Sequence, residues 1–209
     1  MKMFIPRYFK PMSDEDSLNV IRNYSFGILL SEVKGEIYVT PLPFLLESEG
    51  TGMVLYAHLA RINEHSKYLD GSRVTVIFQG PHHYISPRWY MDPRSVPTWN
   101  YVIVKVSGVS ETVNHDLLLS IIKKLSDLHD PEWSSLKKEN ESYYQKMTSE
   151  IVGIRIKIDR IEGKFKLSQN HPREDIESVI AHLSELDENA VEMAEMMKKI
   201  PVYHIRPGT

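Results

Sequence analysis

Phe26-Gly27-Ile28-Leu29-Leu30-Ser31-Glu32-Val33-Lys34-Gly35-Glu36-Ile37-Tyr38-Val39-Thr40-Pro41-Leu42-Pro43-Phe44-Leu45-Leu46 is the stretch that decides the fold class. Two apolar-rich runs flank Lys34-Gly35, the length and chemistry of a two-residue hairpin turn. Residues 26–33 read as one strand and 36–46 as its antiparallel partner, interrupted by Pro41 and Pro43, which have no N–H to give a ladder.

Working outward, residues 47–52 form a polar, glycine-bearing turn into a third strand at 53–58. A short helical stretch at 63–69 ends at Gly71, and 73–78 is a fourth strand. Residues 102–109 resemble a fifth strand and 151–161 a sixth. In the sixth, Ile154, Ile156 and Ile158 alternate with Arg155, Lys157 and Asp159, so one face is buried and the other wet. Ser13 with Asp14, Glu15 and Asp16 caps a helix whose Leu18 and Ile21 face inward. Asn114 caps another, with Leu117, Leu118, Ile121, Ile122, Leu125 and Leu128 at helical spacing. Asp130-Pro131 breaks it, and 132–147 reads as the next helix. Val179, Ile180, Leu183 and Leu186, then Val191, Met193, Met196 and Met197, give the C-terminal segment an apolar stripe over a helix or helix pair. Short strands at hairpin spacing, without strand–helix alternation throughout, predict an antiparallel barrel with added helices rather than a doubly wound sheet.

Composition narrows the function classes. The 209 residues carry 25 Lys and Arg against 28 Asp and Glu, a net charge of −3, which argues against a polybasic nucleic-acid or membrane-surface protein. Without cysteine there is no disulfide scaffold, thiolate zinc site, iron–sulfur cluster or Cys nucleophile. No apolar run approaches the roughly 18 residues of a membrane span, and Pro6, Arg7, Lys10 and Pro11 interrupt the N-terminus where a signal peptide needs an apolar core. The expectation is a cytoplasmic protein with no membrane partner. Charge is uneven: residues 170–200 hold eight acids and three bases, a net −5 that leaves +2 for the rest.

Three stretches can carry chemistry. Residues 80–101 hold Tyr84, Trp89, Tyr90, Trp99 and Tyr101, two of the three tryptophans, together with Pro81, Pro87, Pro93 and Pro97. Such a stiff, ring-bearing loop suits a planar heteroaromatic ligand, with Ser86, Thr98 and Asn100 for directional hydrogen bonds; the same rings equally suit packing on the barrel or a dimer contact. His58-Leu59-Ala60-Arg61-Ile62-Asn63 passes from a strand into a helix, where free N–H groups and Arg61 can cradle phosphate, or where the chain simply enters a helix behind a surface arginine. Residues 163–170, with Lys164 and Lys166, either close over an anion or form an ordinary connection. Metal binding is not expected: adjacent His82 and His83 point to opposite strand faces, and His58 and His65 lack a ligand spacing. The serine-hydrolase elbow, the P-loop and the dinucleotide fingerprint are all missing.

Taken in order, Ala57-His58-Leu59-Ala60-Arg61 with Asn63, Phe78 to Tyr90, Val96-Pro97-Thr98-Trp99-Asn100-Tyr101, and Lys164-Phe165-Lys166-Leu167-Ser168-Gln169-Asn170 resemble the PaiB family. Met3-Phe4-Ile5-Pro6 with Phe9 fits its opening, and the resemblance runs from about residue 3 to about residue 186. It implies a mainly β protein with helices: an FMN-binding split β-barrel, antiparallel and Greek-key-like, at residues 1–168 with inserted helices at 114–147, followed by an acidic helical extension at 169–209. It implies a homodimer with FMN at the subunit interface, acting as a negative transcriptional regulator of sporulation and degradative-enzyme genes. His58, Arg61 and Asn63 become the phosphate candidates, Ser86, Trp89, Thr98, Trp99 and Asn100 the ring-side or dimer-contact candidates, and Lys166 a further cofactor contact. Ala57, Arg88 and His171 stand where the family commonly has Gly, a small residue and Arg.

DNA is a partner by this resemblance alone. No helix-turn-helix is evident, the C-terminal helices are acidic, and Arg155, Lys157, Arg160, Lys164 and Lys166 are the only basic concentration. The alternative is an FMN-dependent oxidoreductase of the same fold, in which the flavin supplies the chemistry and the protein supplies orientation. A third reading is a haem-binding barrel using His58 or His204.

Overall fold

The hairpin forms where the sequence places it. In the computed structural model, which describes residues 2–92, 94–132 and 141–200, β1 (Phe26–Val33) and β2 (Glu36–Pro43) pair antiparallel from Phe26↔Pro43 to Val33↔Glu36. Lys34 at φ 52° and Gly35 at φ 87° both take left-handed backbone, as the tight turn demands. The expected partner strand, 36–46, is in fact two strands. It stops at Pro43, and Phe44 turns inward, its N–H bonding Ser25 O at 2.9 Å and its buried ring edge-on to Phe78 at 5.5 Å. The chain resumes as β3 (Leu45–Glu49), in part the segment expected to be a polar turn.

β4 (Gly52–Ala60), β5 (Ser72–Ile85), β6 (Thr98–Thr112) and β7 (Ile151–Lys166) complete a seven-stranded sheet in the order β2-β1-β5-β6-β7-β4-β3. β1 is antiparallel to β2 and β5, and β4 to β3 and β7. Its helices are α1 (Asp14–Asn23), α2 (His115–His129), α3 (Glu141–Ser149), α4 (Arg173–Leu183) and α5 (Glu188–Lys198). Asn114 caps α2 by accepting from Leu117 N at 2.9 Å, as its spacing predicts. The stretch expected as a helix at 63–69 is a 3₁₀ turn, Glu64–Tyr68. Of the helix expected at 132–147, residues 133–140 lie outside the described residues.

The long strands overrun their expected ends. β5 continues through His82 and His83 to Ile85, so the ring-bearing stretch begins as strand rather than loop, and β6 starts at Thr98 within it. The buried side changes part-way along: Val74, Val76 and Phe78 are buried early in β5 and Pro81 and Ile85 later, as Ile154 and Ile156 give way to Gly163 and Phe165 in β7. A strict period of two therefore loses the strand at the switch.

Two compact units make up the chain, one of residues 1–18, 79–104 and 162–209, the other of 19–78 and 105–161. The acidic C-terminal segment falls in the first. There α4 buries Ile176, Val179 and Leu183 and packs on α5, which buries Ala190, Met193, Ala194 and Met197. Of the expected stripe, Leu186 and Val191 stay exposed. In the second unit, α2 sets Ile121 and Leu125 against Val54 and Tyr56, with Leu45, Val113 and Leu117 around them.

A buried histidine clamps the hairpin. His65 is 1% exposed, with Nε2 2.8 Å from Ser31 Oγ and Nδ1 2.8 Å from Thr40 Oγ1. A neutral imidazole has one donor and one acceptor nitrogen, and the two hydroxyls rotate to match. Burial lowers the pKa of His65, and of His58, below the ordinary 6.5. The unfolded chain then binds the protons more readily, so this stability is fully present above pH 6.5 and is lost as pH falls through the folded values. Urea midpoints at about pH 7.5 and 5.5 should show a loss at the lower pH, with a shallower slope in His65→Gln. A flat or opposite pH dependence would contradict the clamp.

Candidate functional site

β4 and β7 build one site. Their ladder sets His58 opposite Gly153 and Ala60 opposite Ile151, so the chain leaves β4 where β7 begins. Arg61 N bonds Glu150 O at 2.8 Å, and its guanidinium donates from Nε to Ser149 O at 2.9 Å and from Nη2 to Ile151 O at 3.0 Å. Asn63 starts the 3₁₀ turn, its Oδ1 accepting from His65 N at 3.0 Å.

This corner opens on a cavity of about 720 Å³. Arg61, Lys67 and His115 line it with basic groups, Ser66, Thr112, Thr148 and Ser149 with hydroxyls, and Val113, Leu118 and Ile151 with apolar surface. Among the described residues no carboxylate lines it. In a chain of net charge −3 that selection by sign favours an anion. His115 is the first residue of α2, whose positive dipole end adds to the same field. His58 shares a sheet face with cavity-lining Gly153, and its Nδ1 is buried without a hydrogen-bond partner among the described residues. A buried polar atom left unpaired costs about 1–3 kcal/mol, so His58 Nδ1 is a group awaiting a partner. Gly153 is held to glycine by contact: a Cβ there would meet Val113 Cγ2 at 2.6 Å and Leu118 Cδ1 at 2.9 Å, two side chains of the cavity wall.

The ring-bearing residues belong to the first unit. Ser86 caps the turn Pro87–Trp89, its Oγ accepting from Arg88 N at 3.3 Å. Trp89 stacks on His182 of α4 at 5.4 Å and on His83 of β5 at 6.2 Å. Trp99, 52% exposed, stacks on His82 at 6.2 Å and meets Tyr84 edge-on. Lys166 Nζ donates to Thr98 Oγ1 and, at 2.7 Å, to Trp99 O; burial and then the charge of Lys164 lower its pKa. Asn100 is wholly buried, Nδ2 donating to Ser168 Oγ at 2.9 Å, and Ser168 holds left-handed backbone at φ 63°. Tyr90 Oη lies 3.3 Å from the same Oγ, and burial raises its pKa. His171 stacks on Tyr90 at 4.5 Å and faces buried Asp175.

Thr98, Trp99 and Lys166 are thus joined directly, Asn100 is committed to an internal network, and Ser86 to a cap. Arg61 and Asn63 border one another, with His58 on the adjoining strand. Spacing gave no sign of Ser66, Lys67, His115, Thr148 or Ser149, because they come from three separate segments. Pro93 and His204 lie outside the described residues.

The chain is thus a mainly antiparallel seven-stranded sheet with helices and a basic cavity beside Arg61. Residues 3–160 match the family described as "Putative FMN-binding domain". Over 201 residues the chain is 33% identical to "Protease synthase and sporulation protein PAI 2" of Bacillus subtilis (strain 168), covering 94% of this chain and 97% of that protein. An uncharacterized protein of Emericella nidulans is 28% identical over 216 residues, covering 82% and 86%. Among solved structures, the flavocytochrome Anf3 of Azotobacter vinelandii superposes with a TM-score of 0.60 at 16% identity, covering 77% of this chain and 72% of that one. The FAD and heme binding protein of Mycobacterium smegmatis gives 0.57 at 14%, covering 76% and 73%. The chain belongs to the FMN-binding PaiB family, with the split-barrel fold, and FMN is the cofactor of that membership. Among the described residues no helix is long and apolar enough to cross a membrane.

The residues present fit a phosphate-bearing cofactor. Arg61 and Lys67 supply positive charge and His115 an imidazole, with no acid among the described lining residues, and His58 near the end of β4 carries a buried Nδ1 with no partner among the described residues.

Proposed function

We propose that this protein is a PaiB-like transcriptional regulator, a cytoplasmic homodimer that represses sporulation and degradative-enzyme genes and holds FMN by its phosphate in the Arg61 cavity. The observation that carries the flavin part is the cavity itself, lined by Arg61, Lys67 and His115 and, among the described residues, by no carboxylate. The regulatory part is supported by the 33% identical relative, whose name joins protease synthesis to sporulation. FMN, when bound, supplies a ring that accepts and returns electrons, so its redox state is a signal available to such a regulator. This chain's own part is to grip the phosphate with Arg61 and Lys67, while the bonds from Arg61 to Ser149 O and Ile151 O hold the guanidinium in place.

Direct DNA contact would not use the bases of β7 as one patch. Arg155 is held by Glu49 at 2.5 Å and Glu111 at 3.1 Å, and Lys164 lies over the rings of Phe4 and Tyr101. With few phosphates neutralised, DNA affinity should depend only weakly on salt. A mobility-shift series from about 50 to 200 mM salt on promoter fragments should show a shift at the low end that fades gradually. No shift at the lowest salt would contradict direct DNA binding.

A further inference from the structure

The hydroxyl side chains lining the cavity beside Arg61 are held as acceptors. Ser66 Oγ donates to Arg61 O at 3.2 Å, and Thr112 Oγ1 to Asp70 Oδ1 at 2.9 Å. Thr148 Oγ1 donates to Gln145 O at 2.8 Å, and Ser149 Oγ to Lys146 O at 2.7 Å. Each partner is a carbonyl or a carboxylate with no proton to give, so the single O–H of each hydroxyl is committed to it. What these oxygens have left to offer is lone pairs. Asp70 also accepts from Thr112 N at 2.8 Å, and the backbone and side-chain bonds together hold its carboxyl below the usual carboxylate range.

The cations of the same cavity have the opposite character. Arg61 and Lys67 only donate, and Arg61 spends two of its five N–H groups on Ser149 O and Ile151 O. An anion alone would answer Arg61 and Lys67 but set its lone pairs against those of the hydroxyls. An apolar chain would leave the hydroxyls without a donor. A run of alcohols ending in a phosphate matches both sets: its phosphate accepts from the cations, and its O–H groups donate to the Ser and Thr oxygens. Val113, Leu118 and Ile151 give its carbons an apolar wall. Among the described residues no Trp, Tyr or Phe lines the cavity, so it offers no such face on which a flat ring would stack.

We infer that this cavity reads a phosphorylated polyol as a unit, with Ser66, Thr112, Thr148 and Ser149 setting its specificity, and that a polyol phosphate carrying no ring competes for it. The inference rests on the proposed FMN site beside Arg61 and deepens it. The cavity takes the hydroxyl-bearing chain of the cofactor together with its phosphate and leaves the ring to another surface.

The test is calorimetric titration of the full chain, alone and saturated with FMN, with ribitol 5-phosphate, pentyl phosphate and inorganic phosphate. Ribitol 5-phosphate should bind the free chain at least ~10-fold more tightly than either other probe, and FMN should block it. Thr112→Val and Ser149→Ala should each cut that preference about threefold, with pentyl phosphate bound as in wild type. The preference is the readout, because damage to the fold weakens every probe alike. Pentyl or inorganic phosphate binding as tightly as ribitol 5-phosphate overturns the polyol reading and leaves the phosphate site standing, and so does a preference unchanged in both variants. Preferential binding of ribitol 5-phosphate that FMN does not block supports the polyol reading and overturns the FMN site. No binding of any phosphate probe, FMN included, overturns both.

Discussion

Gly108→Ala should lower stability by about 3 kcal/mol, visible as a fall of roughly 6–12 °C in melting temperature for a chain of this length. Gly108 sits buried in β6, beside β7. A Cβ at that position would lie well inside contact distance of the Lys157 carbonyl oxygen and 3.0 Å from Ile156 Cγ2. A flexible side chain can step aside, but a ladder carbonyl cannot move without disturbing the sheet. Gly52→Ala is the matched control, because its nearest neighbour would be Glu49 O at 3.8 Å. It should melt within a few degrees of wild type. Equal effects from the two substitutions would show that close strand approach at Gly108 is not what selects glycine there.

Arg61→Ala should weaken FMN binding about 100-fold and Lys67→Ala about 10-fold, the sizes expected for losing charge-assisted contacts to phosphate. The two differ in a second readout. Arg61 also ties the end of α3 and the start of β7 through Ser149 O and Ile151 O, so its loss should lower stability as well. Lys67 is exposed, so its replacement should leave the melting curve in place. Arg61→Lys keeps the charge but cannot span both carbonyls, and should recover part of the affinity with little of the stability. Flavin affinity unchanged in both alanine variants would place the phosphate elsewhere.

Those residues also mark how far the sequence could be read. The hairpin at Lys34-Gly35 was legible because turn chemistry is local, and so was the cap at Asn114. β5 and β7 were read short because each changes its buried face in mid-strand, and a single alternation cannot follow that change. β3 was missed because its residues, Leu45 to Glu49, alternate poorly and follow two prolines. For the site, Arg61 and Asn63 were named from their place at the end of a strand, and the cavity opens beside Arg61. Lys67, His115, Thr148 and Ser149 were not, since nothing in linear spacing brings residues 67, 115 and 149 together. Asn100 and Ser86 were named as ligand contacts for their polarity. Their side chains are spent on Ser168 and on the turn at Pro87, a use that only the three-dimensional pairing reveals.

The central claim is that the basic cavity beside Arg61 grips the phosphate of FMN. Its most direct test is a paired fluorescence titration of wild type and Arg61→Ala/Lys67→Ala with FMN and with riboflavin, which lacks only the phosphate. Wild type should bind FMN at least ~100-fold more tightly than riboflavin, and the double variant should bind the two nearly alike, with riboflavin affinity little changed. Equal wild-type affinity for both ligands, or an FMN preference that survives the double substitution, would contradict it.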